Sequence, residues 1–263
     1  MDLELENHHV LVTGGSRGIG LACAQSFLQE GARVSVAGRS QAHLDEARQK
    51  LRSATGAEVA CFAVDLTDAA AAAAMVEAVE LRGGPLDVLV NCAGAARRTP
   101  FSELDPQAWQ AAMQAKFFAY IHVMDPLIKR MGARGRGAIV NVVGMGGKVP
   151  SKTHLAGGAA NAALMLASAG LAAAYGPLGV RVNAVNPALT LTARMAQGLA
   201  ADARLLQRSD EEVLRQVTAN APLGRVAQPQ EIANLVVFLC SPRASYVSGA
   251  IINADGASSP MVV

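Results

Sequence analysis

The chain has 263 residues, 51% of them hydrophobic and 17% charged, with 23 basic against 21 acidic side chains. That length suits one large α/β domain or two smaller ones, and the near-even charge excludes the basic footprint of a nucleic-acid or anionic-membrane binder. Four scattered cysteines (Cys23, Cys61, Cys92 and Cys240) with no C-x-x-C pair exclude a disulfide scaffold and show no metal-ligand spacing, and they read as reduced thiols in a cytoplasmic protein.

Short β-branched runs alternate with longer alanine-rich stretches. His9–Thr13 is the first strand candidate, followed by a glycine-rich turn and an apolar-periodic helix over Ile19–Gln29. Arg33–Ala37 and Val59–Val64 read as strands, with a polar helix over Gln41–Ser53 between them. The alanine run from residue 69 to 80 reads as helix, alanine being the strongest helix former. Leu86–Asn91 is the fourth strand, Ala108–Met131 a helix broken near Pro126, and Ala138–Val143 the fifth strand. A helix over Ala159–Tyr175 and strands at Val180–Val185 and Ala250–Asn253 complete the series. Strands alternating with helices predict a single Rossmann-like, doubly wound α/β domain over residues 1–263, with about seven parallel strands covered on both faces. No run approaches the ~18 uninterrupted apolar residues of a spanning helix, and the acidic start MDLELENHHV lacks the apolar region of a secretory signal.

Thr13–Gly20 reads T-G-G-S-R-G-I-G, directly after the first strand and opening the first helix. Such a turn brings backbone N–H groups and a helix N-terminus against a pyrophosphate. Further along come Asp65-Leu66-Thr67, Asn91-Cys92-Ala93-Gly94, Ile139-Val140-Asn141 and Arg181 through Pro187. Pro222–Arg225, Pro229–Ala233, Phe238–Ser241, Ser245–Gly249 and Asp255-Gly256 follow in order. On these motifs the chain resembles the short-chain dehydrogenase/reductase superfamily from His9 to Ala257. The resemblance implies that a nicotinamide dinucleotide contacts Thr13, Gly14, Ser16, Arg17, Gly18, Ile19, Gly20, Arg39, Asp65, Leu66, Asn91, Ala93, Gly94, Asn161, Pro187 and Thr192. NAD-preferring sites carry an acid at the end of the second strand. Here that place is Gly38, followed by Arg39 and faced by Arg17. Two guanidiniums suit a 2′-phosphate, so NADP(H) is expected over NAD(H), unless either arginine simply caps a helix or faces solvent.

The family's chemistry uses a Tyr, a Lys four residues later, a Ser and an Asn. No Y-x-x-x-K occurs, since Met124, Gly179 and Ala250 stand four residues beyond Tyr120, Tyr175 and Tyr246. The resemblance puts Gly157 where the Tyr belongs, Asn161 where the Lys belongs, Gly144 for the Ser and Lys116 for the Asn. Asn and Lys thus look exchanged between positions 116 and 161. Lys116 is the candidate catalytic residue, returning an ammonium to the cavity from the opposite wall, against the alternative that it snorkels to solvent. The small residues at 144 and 157–160 are expected to enlarge the pocket beside the nicotinamide. Lys148, Ser151, Lys152 and His154 lie on the nearby loop. His154 titrates near neutrality and suits acid–base work, while a solvent-facing loop histidine is the blander reading. Ser151 and Thr153 read as capping or turn residues. The segment from 188 to 221 corresponds to the family's lid, and its arginines 194, 204, 208 and 215 suit either an acidic or acyl-thioester substrate or a solvated pair of amphipathic helices.

Three functions remain open. The first is an NADP(H)-binding oxidoreductase-like protein that lacks the standard tetrad and is non-catalytic or uses a non-standard mechanism. The second is an NADPH-dependent carbonyl reductase or alcohol dehydrogenase assisted by Lys116. The third is a structural or regulatory subunit of an active homologue. The resemblance also implies a homodimer or homotetramer acting on a small molecule, with no nucleic-acid, membrane or metal partner.

Overall fold

The computed structural model describes residues 1–94 and 96–260. Strands β1 (His9–Thr13), β2 (Arg33–Gly38), β3 (Ala60–Ala63), β4 (Val88–Asn91), β5 (Gly137–Val142), β6 (Val180–Pro187) and β7 (Ile251–Ala254) form one parallel sheet. Their order is β3-β2-β1-β4-β5-β6-β7. The helices are α1 (Gly18–Gln29), α2 (Gln41–Thr55), α3 (Ala69–Gly83), α4 (Pro106–Ala112), α5 (Ala119–Arg134), α6 (Leu155–Tyr175), α7 (Ala193–Leu206), α8 (Asp210–Asn220) and α9 (Pro229–Cys240).

The central strands are buried on both faces, as their unbroken apolar runs require. Val10 and Val12 of β1 pack with α1, α2 and α9, while Leu11 between them packs with α3 and α5. β4 divides in the same way, Val88 and Val90 against Leu89. The order of connection reverses between β1 and β4, and the crevice beyond the carboxyl ends of those strands is where open α/β sheets bind ligands.

Two predicted elements come out differently. The helix expected to break near Pro126 runs through it, and the irregularity is instead a π turn at Met113–Phe118 between α4 and α5. Pro126 forfeits one helix hydrogen bond, and burial of Val123, Leu127, Ile128 and Met131 against the sheet offsets it. α6 begins at Leu155, a turn earlier than its alanine pattern suggests, which brings Gly157 into its first turn. The stretch Leu155–Leu178 is also apolar enough to pass for a membrane span, with a mean hydropathy of 1.4. It lies against β6, with Leu164, Ser168 and Ala172 buried, so it serves as a core helix.

A buried polar chain ties the sheet together under the crevice. Thr13 Oγ1 donates to Asn91 Oδ1 at 3.2 Å, Asn91 Nδ2 to Asn141 Oδ1 at 3.0 Å, and Asn141 Nδ2 to Ser168 Oγ at 2.9 Å. It links β1, β4, β5 and α6, and every member is fully enclosed. Arg181 has a comparable role on the other side, its guanidinium donating to the carbonyls of Leu239, Cys240 and Ser241 at the end of α9 and of Val247 in the loop before β7. Asn141→Ala leaves the Asn91 Nδ2 donor without its acceptor, while the Ser168 hydroxyl keeps its bond to the Leu164 carbonyl. An unsatisfied buried donor costs about 1–3 kcal/mol, so denaturant unfolding should show a loss of about 2 kcal/mol. A change below about 0.5 kcal/mol would mean that water replaces the missing amide.

Candidate active site

A cleft of about 1870 Å³ runs along the carboxyl ends of the strands. One end is the glycine turn. Gly14 has φ +67°, and a Cβ there would stand 2.8 Å from the backbone of Ala93. A Cβ on Gly20 would strike the carbonyl oxygen of Gly14. Both positions therefore demand glycine, and the resulting close approach leaves the start of α1 open to the cleft. Arg17 stands at the N-cap in extended conformation with no side-chain bond to the helix amides. Those amides and the positive end of the helix dipole suit a pyrophosphate. Ser16, Arg17, Gly18, Ile19, Gly20 and Arg39 all line this end. Among the described residues neither arginine is ion-paired.

The remaining cofactor candidates divide by location. Gly94, Asn161, Pro187 and Thr192 line the cleft. Thr13, Asn91 and Ala93 lie beneath it, where Thr13 Oγ1 accepts the amides of Cys92 and Ala93 at 3.2 Å each. Asp65 closes the turn after β3, its carboxylate accepting the amide and hydroxyl of Thr67 at 3.0 and 2.8 Å, which holds its pKa below the usual carboxylate range. Leu66 is buried in the core.

At the other end the four positions singled out from the sequence converge. Lys116 sits in the π turn, whose widened backbone aims its side chain inward. Gly94 allows this, since a Cβ there would run into the carbonyl of Ala115. The lysine is 6% exposed and does not reach solvent as a snorkelling residue would. Its Nζ donates to Tyr120 Oη at 2.7 Å and to the Val142 carbonyl at 3.0 Å, and lies 4.3 Å from the Tyr120 ring centre. Burial pushes its pKa down to about 7, and the nearby Arg194 guanidinium pushes in the same direction. Tyr120 is fully enclosed and its own hydroxyl donates to Val142, so burial drives its pKa upward and keeps it a neutral phenol. Asn161 is buried at the start of α6, with Gly144 beside it at φ +125°.

The space expected to open at Gly157 is taken, whereas at Gly144 one neighbour, Asn161, narrows it. A Cβ on Gly144 would stand 3.3 Å from Asn161 Nδ2, and one on Gly157 would overlap the imidazole of His154. His154 is thus not a solvent-facing loop residue. It is half-buried and lines the cleft, because α6 starts at Leu155 and brings it to the helix N-cap. Its loop is fastened to α7, where Arg98 donates to Asp202 at 3.2 Å and to Thr153 at 3.3 Å, and Thr153 bonds Asp202 in turn. Arg194 of α7 donates to the carbonyls of Gly94 and Ala96 at 3.1 and 3.5 Å, so the segment expected to act as a lid crosses the cleft mouth.

Comparison with known proteins agrees with this architecture. A family model described as enoyl-(acyl carrier protein) reductase matches residues 14–258. A 3α-hydroxysteroid dehydrogenase of Mediterraneibacter gnavus is 33% identical, over 98% of this chain and 99% of its own. A galactitol 2-dehydrogenase (L-tagatose-forming) of Cereibacter sphaeroides is 36% identical over 93% and 92% of the two chains. The crystal structure of L-sorbose reductase from Gluconobacter frateurii with NADPH and L-sorbose superposes with a TM-score of 0.91 at 32% identity, over the whole of both chains.

The buried lysine gives the fold a pH signature. An unfolded lysine keeps its proton to about pH 10.4, whereas Lys116 in the native chain releases it near pH 7. Between those values the unfolded chain binds the extra proton, so stability rises with pH. Wild type should therefore gain on Lys116→Met by up to about 1.4 kcal/mol per pH unit between pH 7 and 10. Thermal unfolding of both proteins across that range measures it, and a constant difference would mean that Nζ is solvated.

Proposed function

The chain belongs to the short-chain dehydrogenase/reductase superfamily, and we propose that it is an NADPH-dependent carbonyl reductase with a non-standard active site, in which Lys116 supplies the proton. The observation that carries this reading is the Lys116 ammonium, buried in the cleft wall with its pKa at about 7 and, among the described residues, no carboxylate to hold its proton. A group with a pKa near the working pH is the most effective proton donor.

The glycine turn, the open start of α1 and Thr192 would hold the dinucleotide, with Arg17 and Arg39 toward a 2′-phosphate. Absence of an acid at Gly38 supports NADPH over NADH. When bound, the cofactor supplies a hydride to the carbonyl carbon. The carbonyl oxygen takes one proton from the Lys116 ammonium, giving the alcohol, and the neutral amine is reprotonated from solvent. The Val142 carbonyl and Tyr120 hydroxyl keep Nζ in place while it changes charge. Asn161, whose amide faces the cleft, suits a ribose hydroxyl. Assembly into a homodimer or homotetramer, as the family resemblance implies, is part of this reading.

Calorimetric titration should give tighter binding of NADPH than of NADH, with the preference reduced at least tenfold in the Arg17→Ala/Arg39→Ala double variant. In NADPH oxidation with diacetyl, L-sorbose and a 3-oxosteroid as probes, Lys116→Met should lower kcat by about 10²–10⁴-fold. The wild-type rate should fall about tenfold per pH unit above pH 7 as the ammonium is lost. Failure to bind either dinucleotide, or full activity in Lys116→Met, would defeat the reading.

A further inference from the structure

The fold stacks His154 against Gly157 at the start of α6. His154 stands at the N-cap of α6, its amide bonded to the Ser151 carbonyl at 2.9 Å and its carbonyl accepting the Gly158 amide at 2.7 Å. This backbone is fixed, and its imidazole makes no cap bond to the helix. The ring is instead clamped between two glycines. A Cβ built on Gly157 would overlap Cε1 and stand 2.7 Å from both ring nitrogens, and a Cβ on Gly146 would stand 2.8 Å from Cδ2. The imidazole therefore fills the volume into which a side chain at position 157 would project.

Its two nitrogens differ. Among the described residues Nδ1 is sealed in protein with no hydrogen-bond partner. Nε2 makes no hydrogen bond among them either, and the residue lines the cleft. An orphaned buried N–H is rarer than an orphaned acceptor, so the ring proton belongs on Nε2, facing the cleft. The charged groups around the ring are Arg98 from the loop after β4, Lys116 from the π turn, and Arg194 and Asp202 from α7. Burial first, then the three cations, push the imidazole pKa down to about 4 against the opposing pull of Asp202. The ring is thus neutral at physiological pH, a fixed N–H donor rather than a titrating base.

We propose that His154 is a further catalytic residue, its Nε2–H donating a hydrogen bond to the substrate carbonyl oxygen from the place that a side chain at Gly157 would otherwise fill. The inference rests on the carbonyl-reductase reading above. His154 polarises the carbonyl and holds its oxygen, and the proton itself comes from Lys116. A neutral imidazole suits this division, because it stabilises a developing oxyanion without giving up its own proton.

The test compares wild type with His154→Ala and His154→Gln, using NADPH oxidation with diacetyl and L-sorbose. His154→Ala should lower kcat by about 10²–10³-fold while KM changes less than threefold, and added free imidazole should recover at least tenfold of the loss. Retention of wild-type kcat in His154→Ala, or a loss that appears only in KM, would overturn the proposal and leave the reductase reading standing. A second measurement does not need turnover. In 15N-histidine-labelled wild-type protein saturated with NADP+, the His154 signals, identified by their loss in His154→Gln, should show the Nε2–H tautomer without titration from pH 5 to 8. The Nε2 signal should shift when diacetyl is added. If no probe carbonyl is reduced, the reductase reading fails, and this spectrum still decides whether Nε2–H meets a carbonyl. An unmoved Nε2 signal, or a Nδ1–H tautomer, would overturn the role of His154.

Discussion

Lys116 reaches the cleft because the helix that carries it opens into a π turn, and the Val142 carbonyl at the end of β5 accepts its ammonium. The bond joins the α4–α5 helix pair to the sheet where the strands end. Its cost is the burial of a cation with, among the described residues, no carboxylate nearby, visible in the depressed pKa. Carbonyl and phenol oxygens and the face of the Tyr120 ring offset part of that cost. A purely structural contact there would be better served by an apolar side chain. The arrangement fits the proposed role, in which the group changes charge without moving.

The helix starts divide according to where they lie. α2, α3, α4 and α8 begin with Ser40, Asp68, Asp105 and Ser209, each accepting amides of its own helix, and α9 begins with a Gln228–Glu231 capping box. α1, α6 and α7 begin with Arg17, His154 and Thr192, none of which makes a side-chain cap. All three of these residues line the cleft. A missing cap costs about 1 kcal/mol, and these three helix starts all lie along the same cleft. The glycine turn lies there too, and it costs backbone entropy in order to let α1 approach closely. The apparent weaknesses of the fold are thus gathered where anionic groups of a dinucleotide would satisfy them.

How much of this was legible in the sequence depends on the range of the interaction. β1, β4 and β5 were readable because strands buried on both faces are continuous apolar runs, and the glycine turn because its spacing is local. The π turn was not readable. Pro126 is the obvious breaker in that helix, whereas the real irregularity is set by Gly94, twenty-odd residues upstream in a different element. The position of His154 depends on where α6 begins. Read from its alanines, α6 starts at Ala159 and leaves Gly157 in a loop; started at Leu155, it places positions 154 and 157 one turn apart on one face. Arg181 shows the opposite case, a motif residue carried by resemblance whose work is to hold the end of α9 rather than to meet a ligand.

These contacts bear on whether the unusual residues are gaps or replacements. A gap would leave a hole of side-chain size, with backbone still suited to the missing residue. At Gly157 the volume holds an imidazole. At Gly144 the backbone is at φ +125°, a conformation strained for serine, and the Asn161 amide stands against it. At position 116 a lysine is buried with its hydrogen bonds made. A tyrosine returned to 157 would collide with His154, and a serine returned to 144 would need the loop to turn over. At 144 and 157 the neighbouring Asn161 and His154 thus stand against a single reversion, and that local fit is what a remodelled site requires and an abandoned one lacks.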